Sequence, residues 1–165
     1  MTGKIIKYYW EDMTVGQARD LGTITPTAEE IVAFASQFDP QPFHLDEEAA
    51  KDSVFGGLCA SGWHTCAMAM RLMVTNFLHE SSSLGSPGLE SLKWLKPMFP
   101  GDTLRLQHTV IESRPMTKRL DVGLVRTVWA MFNQHGEQVL HMEGYGMFRR
   151  RHPGAPTPPE AGAPA

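Results

Sequence analysis

The chain has 165 residues, enough for one domain of ordinary size with its own hydrophobic core. Apolar residues make up 42% and charged residues 20% of the sequence, as in a typical soluble globular protein. A net charge of -3 excludes the domain-wide basic field that nucleic acid or anionic lipid would require, so we expect neither nucleic acid nor membrane as a partner.

The first half of the chain is predicted to be helical. Residues 27–30 have the pattern of a capping box, which begins a short amphipathic helix that Pro40 ends. Asp46 is a good N-cap for a second helix, and Ser61 can cap a third helix that continues to about His79. The third helix has a wide predicted apolar face, which consists of Trp63, Cys66, Ala67, Met70, Val74, Phe77 and Leu78.

The second half of the chain changes to the alternating pattern of β-strands. The sequence predicts four strands, near residues 92–94, 104–110, 122–128 and 139–148. Turn residues separate these strands at 100–102, 114–117 and 133–136. Helices followed by hairpin-linked strands indicate an α+β domain, in which an antiparallel sheet packs against the long helix.

The last residues have a different composition from the rest of the chain. Residues 152–165 contain five prolines and no large apolar side chain, so they cannot offset the entropy lost on ordering. We therefore predict one domain over residues 1–151 and a flexible tail after it.

The two cysteines, Cys59 and Cys66, are too few for a disulfide framework and are not spaced as a redox pair. We interpret them as reduced packing residues of a cytoplasmic protein. The N-terminal residues contain no apolar run of signal-peptide length, and the most apolar stretch, residues 66–78, is too short to cross a bilayer.

One segment, residues 38–46, concentrates groups that suit acid–base chemistry. Pro40 and Pro42 stiffen the link between two helices, and this link holds Asp39 and His44 close together. The helix dipoles disfavour a negative charge at Asp39 and a positive charge at His44. Charges placed where the local structure disfavours them tend to occur at functional sites, so we interpret the pair as a general acid–base dyad. The alternative is that Asp39 forms an Asx turn and His44 only caps a helix.

In the segment from Gly56 to Trp63, mostly small residues directly precede and begin the longest predicted helix. The free N–H groups of such an end can stabilise an anion or a developing oxyanion. A tight turn with a serine cap is the alternative. Met68, Met70 and Met73 could line an adaptable tunnel, although helical core is the favoured interpretation.

Taken together, these segments resemble the MaoC-like dehydratase family, which includes the (R)-specific enoyl-CoA hydratases of the hotdog superfamily. The resemblance covers most of residues 8–148. The hydratase signature corresponds to residues 39–44, the helix start to residues 60–63, and a third match runs over residues 90–102. The chain departs from the family's common pattern at three positions: Gln41 stands where Asn is common, Ser61 where His is frequent, and Glu90 where Gln is frequent.

The resemblance implies a hotdog fold, an antiparallel sheet wrapped around a long central helix, and a homodimer formed through sheet edges. It implies reversible hydration of an enoyl thioester, with coenzyme A as part of the substrate and no metal or other cofactor. Asp39 and His44 would be catalytic, and the N–H of Gly62 would stabilise the oxyanion. The substrate-binding residues that it implies are Gln41, Ser61 and Trp63.

Two alternative functions remain open at this point. One is a hotdog thioesterase, whose acid–base residue more often lies on the long helix; this helix has no Asp or Glu before Glu80. The other is a non-catalytic acyl-binding subunit of a heteromeric hydratase, against which the intact pair of Asp39 and His44 argues.

Overall fold

In the structure, a computed structural model that describes residues 5–156, a six-stranded antiparallel sheet surrounds a central helix. The strands are β1 (Ala18–Ile24), β2 (Ser83–Gly85), β3 (Leu89–Trp94), β4 (Leu104–Pro115), β5 (Val122–Phe132) and β6 (Gln138–Arg149). The helices are α1 (Ala28–Phe38), α2 (Pro42–Leu45), α3 (Glu47–Lys51) and α4 (Gly62–Asn76), with 3-10 turns at Trp10–Asp12 and Leu78–Glu80.

The sheet has the strand order β1-β4-β5-β6, and both β2 and β3 pair with β6. Alternate residues of β4, among them Leu104 and Leu106, are fully buried, as the period of two predicted. They share one hydrophobic core with Met68 and Leu72 of α4. The predicted α+β architecture of a sheet on a long helix, and with it the hotdog fold, is thus confirmed.

The predicted helix starts are confirmed by their caps. The Thr27 hydroxyl accepts from the Glu30 N–H at 3.2 Å, and the Glu30 carboxylate accepts from the Thr27 N–H at 2.9 Å. The Asp46 carboxylate accepts from the Ala49 N–H at 2.8 Å, and the Ser61 hydroxyl accepts from the Trp63 N–H at 3.3 Å. Caps were predictable because each is a contact within three residues of sequence.

The predicted apolar face of the long helix is right for Phe77, Cys66 and Leu78, which are buried or packed against the core, and wrong for its other members. The side chains that α4 buries are His64, Thr65, Met68, Ala69, Leu72 and Met73. Trp63, Met70 and Val74, which were assigned to the core face, are 57%, 45% and 43% exposed. Apolar residues occur on every side of this helix, so packing against the sheet, rather than periodicity, decides which side is buried.

The long helix also ends earlier than predicted, at Asn76 instead of near His79. Phe77 leaves the helical conformation, with φ −151° and ψ −61°, and is 1% exposed. Its ring packs 5.4 Å from those of Tyr8 and His108, measured between centroids. This tertiary contact ends the helix, and no local sequence signal marks it.

Strands β1 and β2 and helix α2 were not predicted. In β1, Gly22 has φ +85° and the pairing register with β4 shifts between Asp20 and Thr23, which interrupts the alternating pattern. Strand β2 has only three residues. Helix α2 is a single turn that begins at Pro42, a residue that suits the first helical position because it needs no N–H acceptor there.

The chain around the predicted domain boundary is held by hydrogen bonds. The Arg150 guanidinium lies 5.0 Å from the centre of the Trp10 ring and donates to the Ala155 carbonyl at 2.6 Å. The Gly154 N–H donates to the Leu120 carbonyl at 3.2 Å. The rest of the predicted tail, residues 157–165, lies outside the described residues. None of the helices within residues 5–156 has the length and apolar character needed to span a bilayer.

Candidate active site

A cavity of about 530 Å³ opens between the α1–α2 link, the start of α4 and the chain that follows β3. This volume falls in the range of small-molecule binding sites. The predicted residues that line it are Asp39, Gln41, His44, Gly62 and Trp63. The remaining wall is largely apolar and consists of Phe43, Phe55, Cys59, Ala60, Thr65, Trp94, Leu95, Lys96, Pro97 and Met98.

His44 and Asp39 face each other in the wall of this cavity. Nε2 of His44 lies 3.4 Å from Oδ2 of Asp39, and His44 is 5% exposed. The other ring nitrogen, Nδ1, lies 2.6 Å from the Cys59 carbonyl oxygen. Because a carbonyl can only accept, Nδ1 carries a proton and donates it to this bond. In the neutral ring Nε2 is therefore the unprotonated nitrogen, free to accept a proton beside Asp39.

The Asp39 carboxylate is held by two side-chain donors. The Ser61 hydroxyl donates to Oδ2 at 2.7 Å, and Nε2 of Gln41 donates to Oδ1 at 2.7 Å. Burial raises the pKa of Asp39, but these two hydrogen bonds and the nearby His44 more than offset it, so the pKa lies below its ordinary value of 3.8. Asp39 is thus ionised at neutral pH.

The local chain fixes this geometry. Asp39 caps the end of α1, with its N–H on the Ala35 carbonyl at 2.9 Å, and its own carbonyl accepts from the Gln41 N–H at 2.8 Å. The His44 N–H then donates to the Gln41 carbonyl at 2.9 Å, which completes the turn. Rings of Phe43 and Phe55 lie 4.6 Å and 6.3 Å from the imidazole and restrict its rotation.

Gly62 is the first residue of α4, so its N–H has no acceptor within the helix and it borders the cavity. The indole of Trp94 packs directly on this glycine: a Cβ atom at position 62 would lie 2.5 Å from Cε2 of Trp94. Trp63 meets the same indole edge-on, at 5.2 Å between ring centres. Only glycine fits under the indole in this arrangement.

Five of the six predicted site residues thus border one cavity, and Ser61 lies behind it. Ser61 is completely buried, and its hydroxyl contacts Asp39. Met68 and Met73 are buried in the core, as favoured over the tunnel, whereas Met70 is 45% exposed.

Sequence reasoning missed the Cys59 carbonyl that fixes the imidazole, because this contact spans 15 residues of sequence. It also missed the apolar wall, although Trp94 and Met98 lie within the third segment that resembles the family. Within residues 5–156, no three or more His, Cys, Asp or Glu residues cluster so that they could hold a metal ion.

The sequence and the fold agree with those of known proteins. Residues 12–129 match the MaoC like domain family. The uncharacterized protein YdeM of Bacillus subtilis (strain 168) is 28% identical over 133 residues, which are 81% of this chain and 93% of that protein. A mesaconyl-CoA hydratase of Cereibacter sphaeroides is 38% identical over 80 residues, which are 47% of this chain but only 22% of that protein.

Among solved structures, a MaoC-like dehydratase from Rhodospirillum rubrum is similar along almost its whole length. It superposes with a TM-score of 0.83 and 42% identity, over 88% of this chain and 99% of that one. The family match spans the dyad, the start of α4 and the Trp94 strand, which are the segments that build the cavity. On this evidence the chain belongs to the MaoC-like dehydratase family and has its hotdog fold.

Proposed function

We propose that this protein is a hydro-lyase that adds water to an enoyl thioester, and removes it from the 3-hydroxyacyl thioester, with coenzyme A as the carrier. The observation that carries the proposal is the pair of Asp39 and His44, 3.4 Å apart in the wall of a cavity that Gly62 also borders. The relatives named as a hydratase and as a dehydratase support the same reaction class.

The dyad suits the activation of water. Ionised Asp39 and the unprotonated Nε2 of His44 are both acceptors, so one water molecule can donate a hydrogen to each of them. Its oxygen then faces the substrate and can attack the β-carbon while one proton passes to the dyad. The dyad delivers this proton to the α-carbon on the same side, so that the oxygen–carbon and hydrogen–carbon bonds form as one water O–H bond and the π bond of the enoyl group break. Dehydration is the reverse.

The thioester carbonyl must accept negative charge when the α-carbon gains or loses its proton. A donor that is already aimed at this oxygen lowers the barrier because it need not reorganise during the reaction. In our proposal this donor is the Gly62 N–H, at the positive end of the α4 dipole. Gln41 and Trp63 contact the substrate, and the cavity binds coenzyme A only as part of the substrate.

We further propose that the protein acts as a homodimer. Within the described residues, β3 pairs only with β6, so its other edge is available to another strand. Apolar side chains near this edge and on α4 are exposed, namely Trp63, Met70, Val74, Leu89 and Trp94. A second copy would cover both the edge and the apolar side chains.

We also propose a cytoplasmic location for the protein. Its two cysteines, Cys59 and Cys66, are both free, which suits a reducing compartment.

The test is a hydration assay on short, medium and branched enoyl-CoA thioesters, followed by loss of the enoyl thioester absorbance. We expect turnover of at least one of them, and its absence for every member of the panel would contradict the proposal. Release of free coenzyme A thiol is measured in parallel. Thiol release without hydration would indicate a thioesterase instead, an outcome that we do not expect because α4 contains neither Asp nor Glu.

The same purified protein also tests the alternative that the chain is a non-catalytic subunit of a heteromeric hydratase. If the purified chain sediments as a dimer and hydrates the substrate alone, no second subunit is needed. An inactive chain that gains activity only with a different partner would contradict the homodimer proposal.

A further inference from the structure

We propose that Ser61 is a positioning residue that acts through Asp39: its buried hydroxyl holds the carboxylate beside His44 and joins the dyad to the helix that carries Gly62. For its effect on turnover this inference rests on the proposed hydration. It assigns Ser61, which the family resemblance placed against the substrate, to a different role.

The contacts of the hydroxyl support this role. Ser61 is 0% exposed and is not among the described residues that line the cavity. Its hydroxyl donates to Oδ2 of Asp39 at 2.7 Å, and that same oxygen faces Nε2 of His44 at 3.4 Å. The hydroxyl also accepts from the Trp63 N–H at 3.3 Å, as the N-cap of α4. One oxygen atom thus bonds both to the carboxylate and to the first turn of α4.

Asp39 needs such a donor because its position disfavours a negative charge. It caps the carboxyl end of α1, where the carbonyl groups carry the negative end of the helix dipole. The two donors, Ser61 and Gln41, oppose this effect. They differ in exposure, because Gln41 is exposed and Ser61 is buried. Water can replace the amide of Gln41, whereas the hydrogen bond to the buried hydroxyl is not readily replaced.

Few other charges act on Asp39. His44 is the titratable group that faces it, and the positive charge of its protonated imidazole favours the ionised carboxylate. The cavity also contains Lys96, but this side chain is ion-paired with Glu137. Loss of the Ser61 donor should therefore appear mainly in the titration of Asp39.

The experiment separates the hydroxyl from the helix cap. Glycine is almost as good an N-cap as serine, whereas alanine is poor. Ser61→Gly therefore removes the donor but keeps most of the cap, and Ser61→Ala removes both. Ser61→Thr keeps a hydroxyl and serves as the conservative variant. Gln41→Leu removes the exposed donor for comparison.

Two measurements are made on each variant: the titration of the Asp39 carboxyl carbon by NMR, assigned with Asp39→Asn, and kcat and KM as functions of pH. We expect Ser61→Gly and Ser61→Ala alike to raise the pKa of Asp39, which moves the acid limb of the kcat profile to higher pH. We expect kcat to fall about tenfold with little change in KM, because the hydroxyl does not touch the substrate. Ser61→Thr should restore both. Gln41→Leu is compared in the titration alone, where we expect it to raise the pKa of Asp39 less than Ser61→Gly does.

The inference is overturned if Ser61→Gly leaves the titration of Asp39 and the kcat profile as in the parent. It is also overturned if only Ser61→Ala differs from the parent, since that result would assign Ser61 to capping alone. The NMR titration does not require turnover. A parent protein without hydratase activity would contradict the proposed function and still leave the contact between Ser61 and Asp39 to be decided by the titration.

Discussion

Two buried histidines of this protein differ in what their surroundings allow them to do. His44 is 5% exposed, has a carbonyl acceptor on Nδ1 and faces Asp39 through Nε2. His108 on β4 is 2% exposed, and its Nδ1 has no hydrogen-bond partner among the described residues. Burial, and secondarily the positive charge of Arg19, lower the pKa of His108 to about 4. His108 is therefore a neutral core residue.

The two histidines differ in the groups that contact their ring nitrogens, since their exposed fractions are nearly the same. A histidine with a fixed tautomer and a carboxylate beside its other nitrogen can hold and return a proton. His108 packs against Phe77 and has no such carboxylate beside it among the described residues. It is a core residue that resists protonation, and its burial costs folding free energy. The predictions below test this division of roles, beginning with the largest expected effect.

Substitution of the dyad should nearly abolish turnover. Asp39→Asn and His44→Gln each remove a proton acceptor, and we expect kcat to fall by a factor on the order of a hundred or more. Hydration rate and thermal unfolding are measured together. The fold should be retained, because both side chains lie in the wall of the cavity. His108→Leu is the matched control, for which we expect parental turnover; equal losses at positions 44 and 108 would contradict the comparison.

The amide of Gly62 should matter almost as much. A direct substitution is obstructed, because any Cβ at this position meets the Trp94 indole. The test is therefore made in a Trp94→Ala background, in which Gly62→Ala adds a methyl group and Gly62→Pro also removes the N–H. Proline suits the first helical position, so both variants should fold.

We expect the proline variant to turn over about 10²–10³ times more slowly than the alanine variant in that background. The measurement is kcat for an enoyl-CoA, with dimer content checked by sedimentation. Similar rates for the two variants would remove the Gly62 N–H from the mechanism.

The smallest effect concerns stability in acid. Because the folded pKa of His108 is about 4 and the ordinary value is 6.5, the unfolded chain binds the proton more readily between these two pH values. Unfolding is therefore favoured as the pH falls from 6.5 toward 4, and this contribution vanishes above pH 6.5. At pH values below 4, the loss in the free energy of unfolding that His108 causes reaches its full size of about 3 kcal/mol.

Urea unfolding at pH 7, 5.5 and 4 measures this contribution, and His108→Leu is the control. The free energy of unfolding should fall less steeply with acidification in the variant than in the parent. Parallel pH profiles for the two proteins would show that His108 does not resist protonation as its burial indicates.

Local sequence patterns predicted those parts of the fold and the site that depend on near neighbours. The capping box at Thr27, the stop at Pro40 and the closeness of Asp39 and His44 all arise within a few residues of sequence. The alternation along β4 was likewise sufficient to identify its buried side.

Contacts between distant residues were not predictable in this way. The Ser61 hydroxyl reaches Asp39 across 22 residues of sequence, and the Cys59 carbonyl reaches His44 across 15. The buried side of α4 was misjudged for the same reason, because the sheet that selects it comes later in the chain. Strand β1 was missed because the bulge near Gly22 interrupts its alternation.

The close packing of Trp94 on Gly62 has a consequence for sequence variation among homologues. A mutation that adds a side chain at position 62 requires an indole at position 94 to move from its place, and a smaller residue at 94 leaves space above the glycine. We expect these two positions to covary, with glycine at 62 whenever 94 is tryptophan. Homologues that carry a smaller residue at 94 would have a wider entrance beside the helix end, and hence room for bulkier acyl groups.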